Sequence, residues 1–463
     1  MWSVIFLVVF SLFSPNFFCV FFSMLLGVLL FFLKYNFYAF SGVIFVSRVF
    51  YLDALSYYFI FLTFILFVFV ILLEFYNFFS SFVFFLQSLL ICLLFFFLSK
   101  HVFYFFVFFE ASFIFIFLMI LFWGHNPERI EALNYFIIYS LAGSVPLLIF
   151  IIFFQYCCMY YCFFWDFSHL LIAYNLEDFV DEGVNNFYIF YAHHFYCFFW
   201  ILVFLIKFPM FGLHLWLPKA HVESPVYGSM LLAGILIKLG VVGIFRFIYS
   251  IRNFFFNEVI VNNLFYYTCL GLILVNFICS RQWDLKSFVA YSSVVHMSLV
   301  IFSIWTGTYL SVLGCILLSF SHGLCSSALF LNVNGFYLLS GSRSLYLNRG
   351  YIYLHSCLCL LWFLLCASNC SFPLGLGFFS EIFLILSGVY SNFGSIFSFF
   401  FNIFFCGLYC MFLYLYVVHG KSNLGLNFSG RLFFDYVYLL LLFYHFFILY
   451  FYFSVLNTIM LVV

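Results

Sequence analysis

Long apolar runs, separated by short clusters of polar residues, Pro or Gly, make up most of the sequence. A bilayer core is ~30 Å thick and takes ~20 apolar residues in a helix, and by that measure roughly fourteen stretches are long or apolar enough to cross it. Along the first half they are Trp2 to Phe13, Phe17 to Phe32, Leu55 to Leu73, Phe79 to Leu98, Val102 to Trp123, Leu133 to Phe154 and Tyr188 to Phe211. The second half continues with Pro225 to Tyr249, Val259 to Cys279, Ser287 to Trp305, Tyr309 to Leu331, Ile352 to Leu386, Phe393 to Val418 and Tyr436 to Met460. In lipid every backbone amide must find its partner within the segment or in a closed barrel, and these runs are too continuous for alternating barrel strands. The expected fold is an all-α polytopic membrane protein with about fourteen transmembrane helices.

Two of the stretches are interrupted. Ile352 to Leu386 is too long for one straight span, and its middle, "ASNCSFPLGLGFFSE", holds Asn369, Pro373, Gly375 and Gly377. Tyr188 to Phe211 carries Lys207, Phe208 and Pro209 near its end. Broken helices at corresponding places of two halves mark proteins built from inverted repeats, and these breaks lie about 170 residues apart, the spacing of two consecutive five-helix units. The expected organisation is residues 1–76 as N-terminal helices, 77–250 as a first repeat, 251–418 as a second, and 419–463 as a C-terminal helix. Gln155 to Asn186, with Asp166, Glu177, Asp178, Asp181 and Glu182 among aromatics, reads as a membrane-surface loop.

Composition agrees with a membrane location. The 463 residues are 68% hydrophobic and 6% charged, against about 25% charged in a soluble domain, so water is not the solvent of this fold. Arg and Lys balance Asp and Glu at 15 each, and without a block of basic residues nothing points to nucleic acid or to an anionic-lipid patch. The 85 Phe and 35 Tyr are a bias that no packing rule requires; T-rich codons of an organellar genome account for it. The 16 Cys lie mostly inside apolar runs and form no paired C-x-x-C set, so they read as small apolar residues rather than a disulfide framework. A cleavable signal is not evident, because Met1 to Leu33 lacks a basic start and a small-residue cleavage site. Loops after odd-numbered spans hold Arg129, Lys219, Arg281, Lys286, Arg343, Arg349, Lys421 and Arg431, and those after even-numbered spans hold Lys34, Arg48, Lys100, Arg246 and Arg252. The positive-inside rule puts the richer set on the inner side.

Charges within spans cost ~2.5–3.5 kcal/mol each on insertion scales, so they pair or line a wet path. Four stand out: Glu110 in "VFYFFVFFEASFIFIF", Lys207 in "FLIKFPMFG", Lys238 in "LLAGILIKLGVVG" and Glu381 in "LGFFSEIFLIL". They are either two structural ion pairs or a relay, in which two acids and two bases take up and release protons as their separations change. His296 in "SSVVHMSL" and His322 in "SFSHGLCSS" are neutral groups able to bridge such a path, or hydrogen-bonded packing. Other motifs carry nothing. Gly375 and Gly377 imitate a dinucleotide fingerprint but follow no strand, and the adjacent His193 and His194 point to different helix faces with no third ligand. No nucleophile triad, phosphate loop, haem or iron–sulfur spacing is present, so no cofactor is expected in this chain.

The stretch "GLHLWLPKAHVESPVYGSMLLAGILIKLG", Gly212 to Gly240, closely resembles the signature of the chain 4 family of proton-pumping NADH:ubiquinone oxidoreductase. His214, Pro218, Lys219, His221, Glu223 and Pro225 favour chain 4 over the sister antiporter-like chains 2 and 5. Further matches are "FFEASF", "WGHNPERIEALNYFIIYSLAGSVPLL", "RQWDLKSFVAYSSVVHMSLVI" and "SHGLCSSALFL", which together run discontinuously from Val102 to Leu331. The resemblance implies fourteen spans, two inverted repeats and a hydrophilic axis at mid-membrane. It also implies Glu110 as the essential acid, Lys207 as the modulated lysine, Lys238 as the central lysine, Glu381 as the terminal acid, His296 and His322 as axis histidines, and His214 beside the broken seventh span. It implies a mitochondrial inner-membrane, mitochondrially encoded subunit beside chain 2-like and chain 5-like partners, with FMN, iron–sulfur clusters and ubiquinone elsewhere in the complex. Two positions depart from the pattern: Gly377 stands where Asn is expected, and Ser380 where Gly precedes the acid. A sodium/proton antiporter subunit shares these motifs and is the alternative; a structural scaffold is disfavoured by the four buried charges.

Overall fold

The computed structural model describes residues 2–12, 17–35, 44–45, 49–73, 80–124, 126–157, 201–255, 258–353, 355–373, 375–391, 393–421 and 432–451. The expected surface loop beyond Cys157, the start of the seventh span, His193, His194 and Arg431 lie outside them.

Helices account for almost all of the described chain. They are α1 (Trp2–Leu12), α2 (Phe17–Tyr35), α3 (Ala54–Leu73), α4 (Ser80–Leu98), α5 (Val102–Trp123) and α6 (Arg129–Cys157). After helical residues 201–207 come α7 (Trp216–Glu223), α8 (Val226–Leu231), a π turn over Leu232–Leu236, α9 (Ile237–Phe255), α10 (Glu258–Ser280) and α11 (Leu285–Ile304). The chain closes with α12 (Tyr309–Ser340), α13 (Ser356–Asn369), α14 (Leu376–Ser391), α15 (Ile396–Val418) and α16 (Leu432–Phe451). The only strands among the described residues are a two-residue antiparallel pair, Ile44–Phe45 against Tyr51–Leu52.

Among the described residues, nine helices are long and apolar enough to cross a membrane, and Val20–Phe31, Ser356–Asn369, Leu376–Ser391 and Tyr438–Tyr450 are shorter apolar helices. Every expected stretch coincides with helix, the seventh and the fourteenth over their described parts only and the twelfth as two helices. The eleventh is longer than its apolar run: α12 continues past Leu331 through the buried Asn332 to Ser340. The Thr308 hydroxyl caps its start by accepting from the Ser311 amide, and Gly341 at φ 68° ends it in the left-handed turn that glycine favours.

Position in the bundle follows surface chemistry. Residues 228–246 are buried throughout, as are most of Ala54–Leu73, Leu285–Ile304 and Tyr309–Ser340. Arg129–Ile149, Asn263–Ser280 and Ile396–Val418 turn most of their surface outward and present Ile138, Leu270 and Phe404 there, which suits lipid and would not suit water. The polar residues collect on the interior helices.

Both expected breaks are present. Helical residues 201–207 stop at Lys207, the chain turns through Phe208 to Leu215, and α7 resumes at Trp216. Pro209 has no amide to continue the ladder, and the Trp216 indole donates to the Ile206 carbonyl at 2.9 Å, tying the two halves together. In the second break α13 ends at Asn369 and α14 begins at Leu376. Ser371 sits there at φ 58°, a left-handed conformation that costs a non-glycine residue roughly 1 kcal/mol. The break forms with Gly377 and Ser380 in place, so the two departures from the family pattern do not prevent it.

Candidate functional site

The candidate residues fall into two groups. In the first, Glu110 of α5 faces Lys207 at the end of helical residues 201–207, with Lys207 Nζ 3.8 Å from Glu110 Oε1. Lys207 is 2% exposed and the Glu110 side chain 21%, so the lysine depends on the interior for its partners. Its ammonium lies over the Phe113 ring, 3.0 Å from the centroid, with Phe109 at 5.1 Å, a cation–π setting that partly replaces lost water. Ser144 of α6 supplies a hydroxyl beside the Glu110 carboxyl. The helix carrying Lys207 presses onto α9 because glycines let it: a Cβ at Gly240 would meet Phe208 Cβ at 2.7 Å, and one at Gly243 would strike the Phe204 ring.

The second group is a line of four. Lys238 at the start of α9 is fully buried, its Nζ 2.9 Å from Nδ1 of His322 on α12. The His322 ring lies 5.5 Å from that of His296 on α11, tilted by 48°. His296 Nδ1 is 3.6 Å from Oε1 of Glu381 on α14. Two local features place the lysine. The Lys238 ammonium donates to the Ala233 carbonyl within the π turn immediately before α9, in keeping with the association of such turns with functional sites. The same turn carries Gly234, which lies against Gly323 of α12 and lets the two backbones approach.

A small cavity of 20 Å³ at the second break is lined by His296, Ser321, His322, Ser368, Asn369 and Ser371, among others. An ordered water needs about 10–15 Å³ by this measure and two to four polar neighbours, so the cavity admits one. Ser371 lies near the Glu381 carboxyl.

His214 belongs to neither group. It is buried, with its ring near those of Phe211 and Tyr291, and no contact with another candidate is described.

Two site residues were not foreseen. His221 of α7 is fully buried, stacked on Phe330 at 4.6 Å, and within electrostatic range of Lys238, His322 and Lys286. The sequence held a signal for it: Lys219 and His221 are two positions, about 200°, apart on one helix, so with Lys219 outward His221 must face in. Asn369 was read as part of the break, yet its Oδ1 lies 3.1 Å from His296 Nε2.

Two cations, Lys286 and Arg343, converge on the end of α7. The Val222 carbonyl accepts from Asn126 at 3.2 Å, from Arg343 at 2.8 Å and from Lys286 at 3.4 Å, and Lys286 also donates to the Ser224 carbonyl at 2.7 Å. Positive groups at a helix C-terminus complement its dipole. Burial raises the Glu223 carboxyl above the usual carboxylate range, with Arg343 opposing the shift. Beside this hub a cleft of 220 Å³ opens between Glu128, Glu131, Lys219, Glu223 and Gln282.

The family described as NADH:quinone oxidoreductase/Mrp antiporter, TM, matches residues 99–406. The NADH-ubiquinone oxidoreductase chain 4 of Locusta migratoria is 38% identical over 329 residues, covering 71% of this chain and 69% of that protein. That of Ceratitis capitata is 38% identical over 358 residues, covering 76% and 75%. The chain belongs to the NADH-ubiquinone oxidoreductase chain 4 family. Chain 4 membership decides between the two readings of the shared motifs, in favour of a complex I membrane-arm subunit over a separate antiporter subunit. The fold agrees. A chain of respiratory complex I from Thermus thermophilus with bound NADH superposes at a TM-score of 0.80 with 22% identity, covering 96% of this chain and 95% of that one. A chain of the archaeal membrane-bound sulfane sulfur reductase superposes at 0.81 with 17% identity, covering 99% and 96%. The antiporter-like membrane fold is thus common to chain 4 and to a complex of different redox chemistry.

Proposed function

We propose that this chain moves protons across the mitochondrial inner membrane as a membrane-arm subunit of NADH:ubiquinone oxidoreductase, beside chain 2-like and chain 5-like neighbours. Two antiporter-like repeats, residues 77–250 and 251–418, each contribute one broken helix. FMN, iron–sulfur and ubiquinone chemistry resides in other subunits, and this chain supplies the path. The observation that carries the reading is the succession of Lys238, His322, His296 and Glu381 on buried helices, with Glu110 and Lys207 as a separate ion pair.

Each member has a distinct task. A buried pair such as Glu110–Lys207 is held charged by mutual attraction, and moving its members apart removes what stabilises both charges. Lys207 can then act on the line through the helix packed against α9. Lys238 holds a proton at the centre, His322 receives it through Nδ1, and His296 and Glu381 form the far end. His214 and His221 flank the seventh-span break and the central lysine.

The test is Lys238→Ala in an assembled complex, with rates normalised to flavin content. Quinone-linked NADH oxidation and proton translocation fall together, at least about tenfold, while NADH oxidation by an artificial acceptor survives. Loss of the artificial activity in a fully assembled complex would overturn the reading.

A further inference from the structure

Building on that proton-translocation reading, we infer that Asn369 is a positioning residue: its amide holds His296 in the Nε2–H tautomer, so that the Nδ1 lone pair faces Glu381. Asn369 is the last residue of α13, at the edge of the second break, and is 7% exposed. Both ends of its side chain are engaged. Oδ1 lies 3.1 Å from His296 Nε2, while Nδ2 donates to the Cys410 sulfur of α15 at 3.4 Å. The Cys406 thiol donates to the Asn369 main-chain carbonyl at 3.5 Å, fixing the residue from a second direction. Held in this way, the amide turns its oxygen, an acceptor only, towards the imidazole.

The tautomer follows. A neutral imidazole has one N–H and one lone pair, and facing an amide oxygen the N–H is at Nε2. Nδ1 is left as the acceptor, 3.6 Å from Glu381 Oε1, and neither of these two atoms has a hydrogen-bond partner among the described residues. A protonated Glu381 can then give its proton to Nδ1: the carboxyl O–H bond breaks, an N–H bond forms, and a carboxylate faces an imidazolium. The reverse step returns the proton to the acid. In the opposite tautomer Nδ1 already carries a proton, and the acid has nowhere to deliver its own.

The same lock limits the route. An amide oxygen is too weak a base to take the Nε2 proton, so His296 exchanges protons at Nδ1. His322 meets His296 ring to ring, 5.5 Å between centroids, and the shared cavity lined by Ser321, Ser368 and Ser371 connects them instead. On this account His296 stores charge for Glu381 and is not a wire between His322 and the acid.

The experiment compares Asn369→Leu, Asn369→Asp and Glu381→Gln in complexes shown to be assembled by native gel, with proton translocation and quinone-linked turnover normalised to flavin. Leu keeps the size and removes the acceptor, and the expected loss is about tenfold or more, as for other partners that fix a histidine tautomer. Asp keeps an acceptor oxygen at the same place, loses the donor to Cys410 and adds a negative charge that also holds the proton at Nε2, so it restores at least half of the wild-type rate. A wild-type rate in the Leu variant, or equal damage by Leu and Asp, would overturn the inference. Impairment by Glu381→Gln alone would leave the relay standing without this role for Asn369. A wild-type Glu381→Gln variant would bring down the relay and the inference together.

Discussion

Gly323 and Gly234 face each other across α12 and the π turn so closely that a Cβ on Gly323 would lie 3.0 Å from the Gly234 carbonyl oxygen and 2.9 Å from Leu62 Cδ2. The neighbours of this contact are functional in the proposed scheme, since His322 precedes Gly323 and Lys238 follows Gly234 by one helical turn. One contact between backbones therefore sets the 2.9 Å link between the central lysine and the first histidine.

Gly323→Ala tests that dependence. The added methyl meets backbone, which cannot rotate away, and overpacking of this kind costs about 1–3 kcal/mol. The expected outcome is a lower thermal stability of the complex and a several-fold fall in proton translocation, as Lys238 and His322 separate. Gly407→Ala is the matched control, because nothing lies within 4 Å of its Cβ position, and it should leave both measurements unchanged. Equal behaviour of the two variants would show that the glycine contact does not set the link.

Lys286 is the second point of leverage. It was expected in a loop, but it lies in the first turn of α11, is 8% exposed, and donates to the main chain at the end of α7. Hydrogen bonds from charged donors contribute about 1.5–3 kcal/mol, so Lys286→Met should loosen α7 by an amount of that order. Hydrogen exchange of the 216–224 backbone reads this directly. Glu223→Gln should leave that exchange nearly unchanged, since the donors engage the Val222 and Ser224 carbonyls and not the carboxylate. Protection that survives Lys286→Met and is lost in Glu223→Gln would reverse the assignment.

Much of this architecture was legible in the chain because bilayer physics writes it in one dimension. Apolar length gave the helices, Pro209 and the run from Asn369 to Gly377 gave the breaks, and the rarity of charge in lipid singled out Glu110, Lys207, Lys238 and Glu381. The partners of those charges were less legible. The Glu110–Lys207 contact joins residues 97 positions apart, and the Lys238–His322 contact joins residues 84 apart. Lys286 looked like a loop cation because its acceptors lie more than sixty residues earlier. The π turn at Leu232–Leu236 is written in residues that would equally form an α-helix. Asn332 read as the end of a span, yet it is buried inside a helix that runs on to Ser340. Where polarity is repaid by a distant partner, local pattern stops being informative.

The pair Glu110 and Lys207 isolates charge as the working quantity. Opposite charges at the observed 3.8 Å attract by roughly 4 kcal/mol at an effective dielectric of about 20, while moving one charge across about 100 mV takes ~2.3 kcal/mol. Opening this contact is therefore a switch large enough for the task. Glu110→Gln keeps the shape and much of the hydrogen bonding of a neutral acid, but it cannot carry a negative charge, so it should be nearly as damaging as Glu110→Ala. Glu110→Asp keeps the charge one carbon farther back, where the attraction weakens only in proportion to distance, and should retain part of the activity. The rings of Phe109 and Phe113 remain beside Lys207 in all three variants, which supports assembly without restoring the switch. Proton translocation and quinone reductase rates in assembled complexes, normalised to flavin, decide the matter. Wild-type pumping by the Gln variant would mean that Glu110 only packs against its neighbours, and the ion pair would then be a structural tie between α5 and the helix that ends at Lys207.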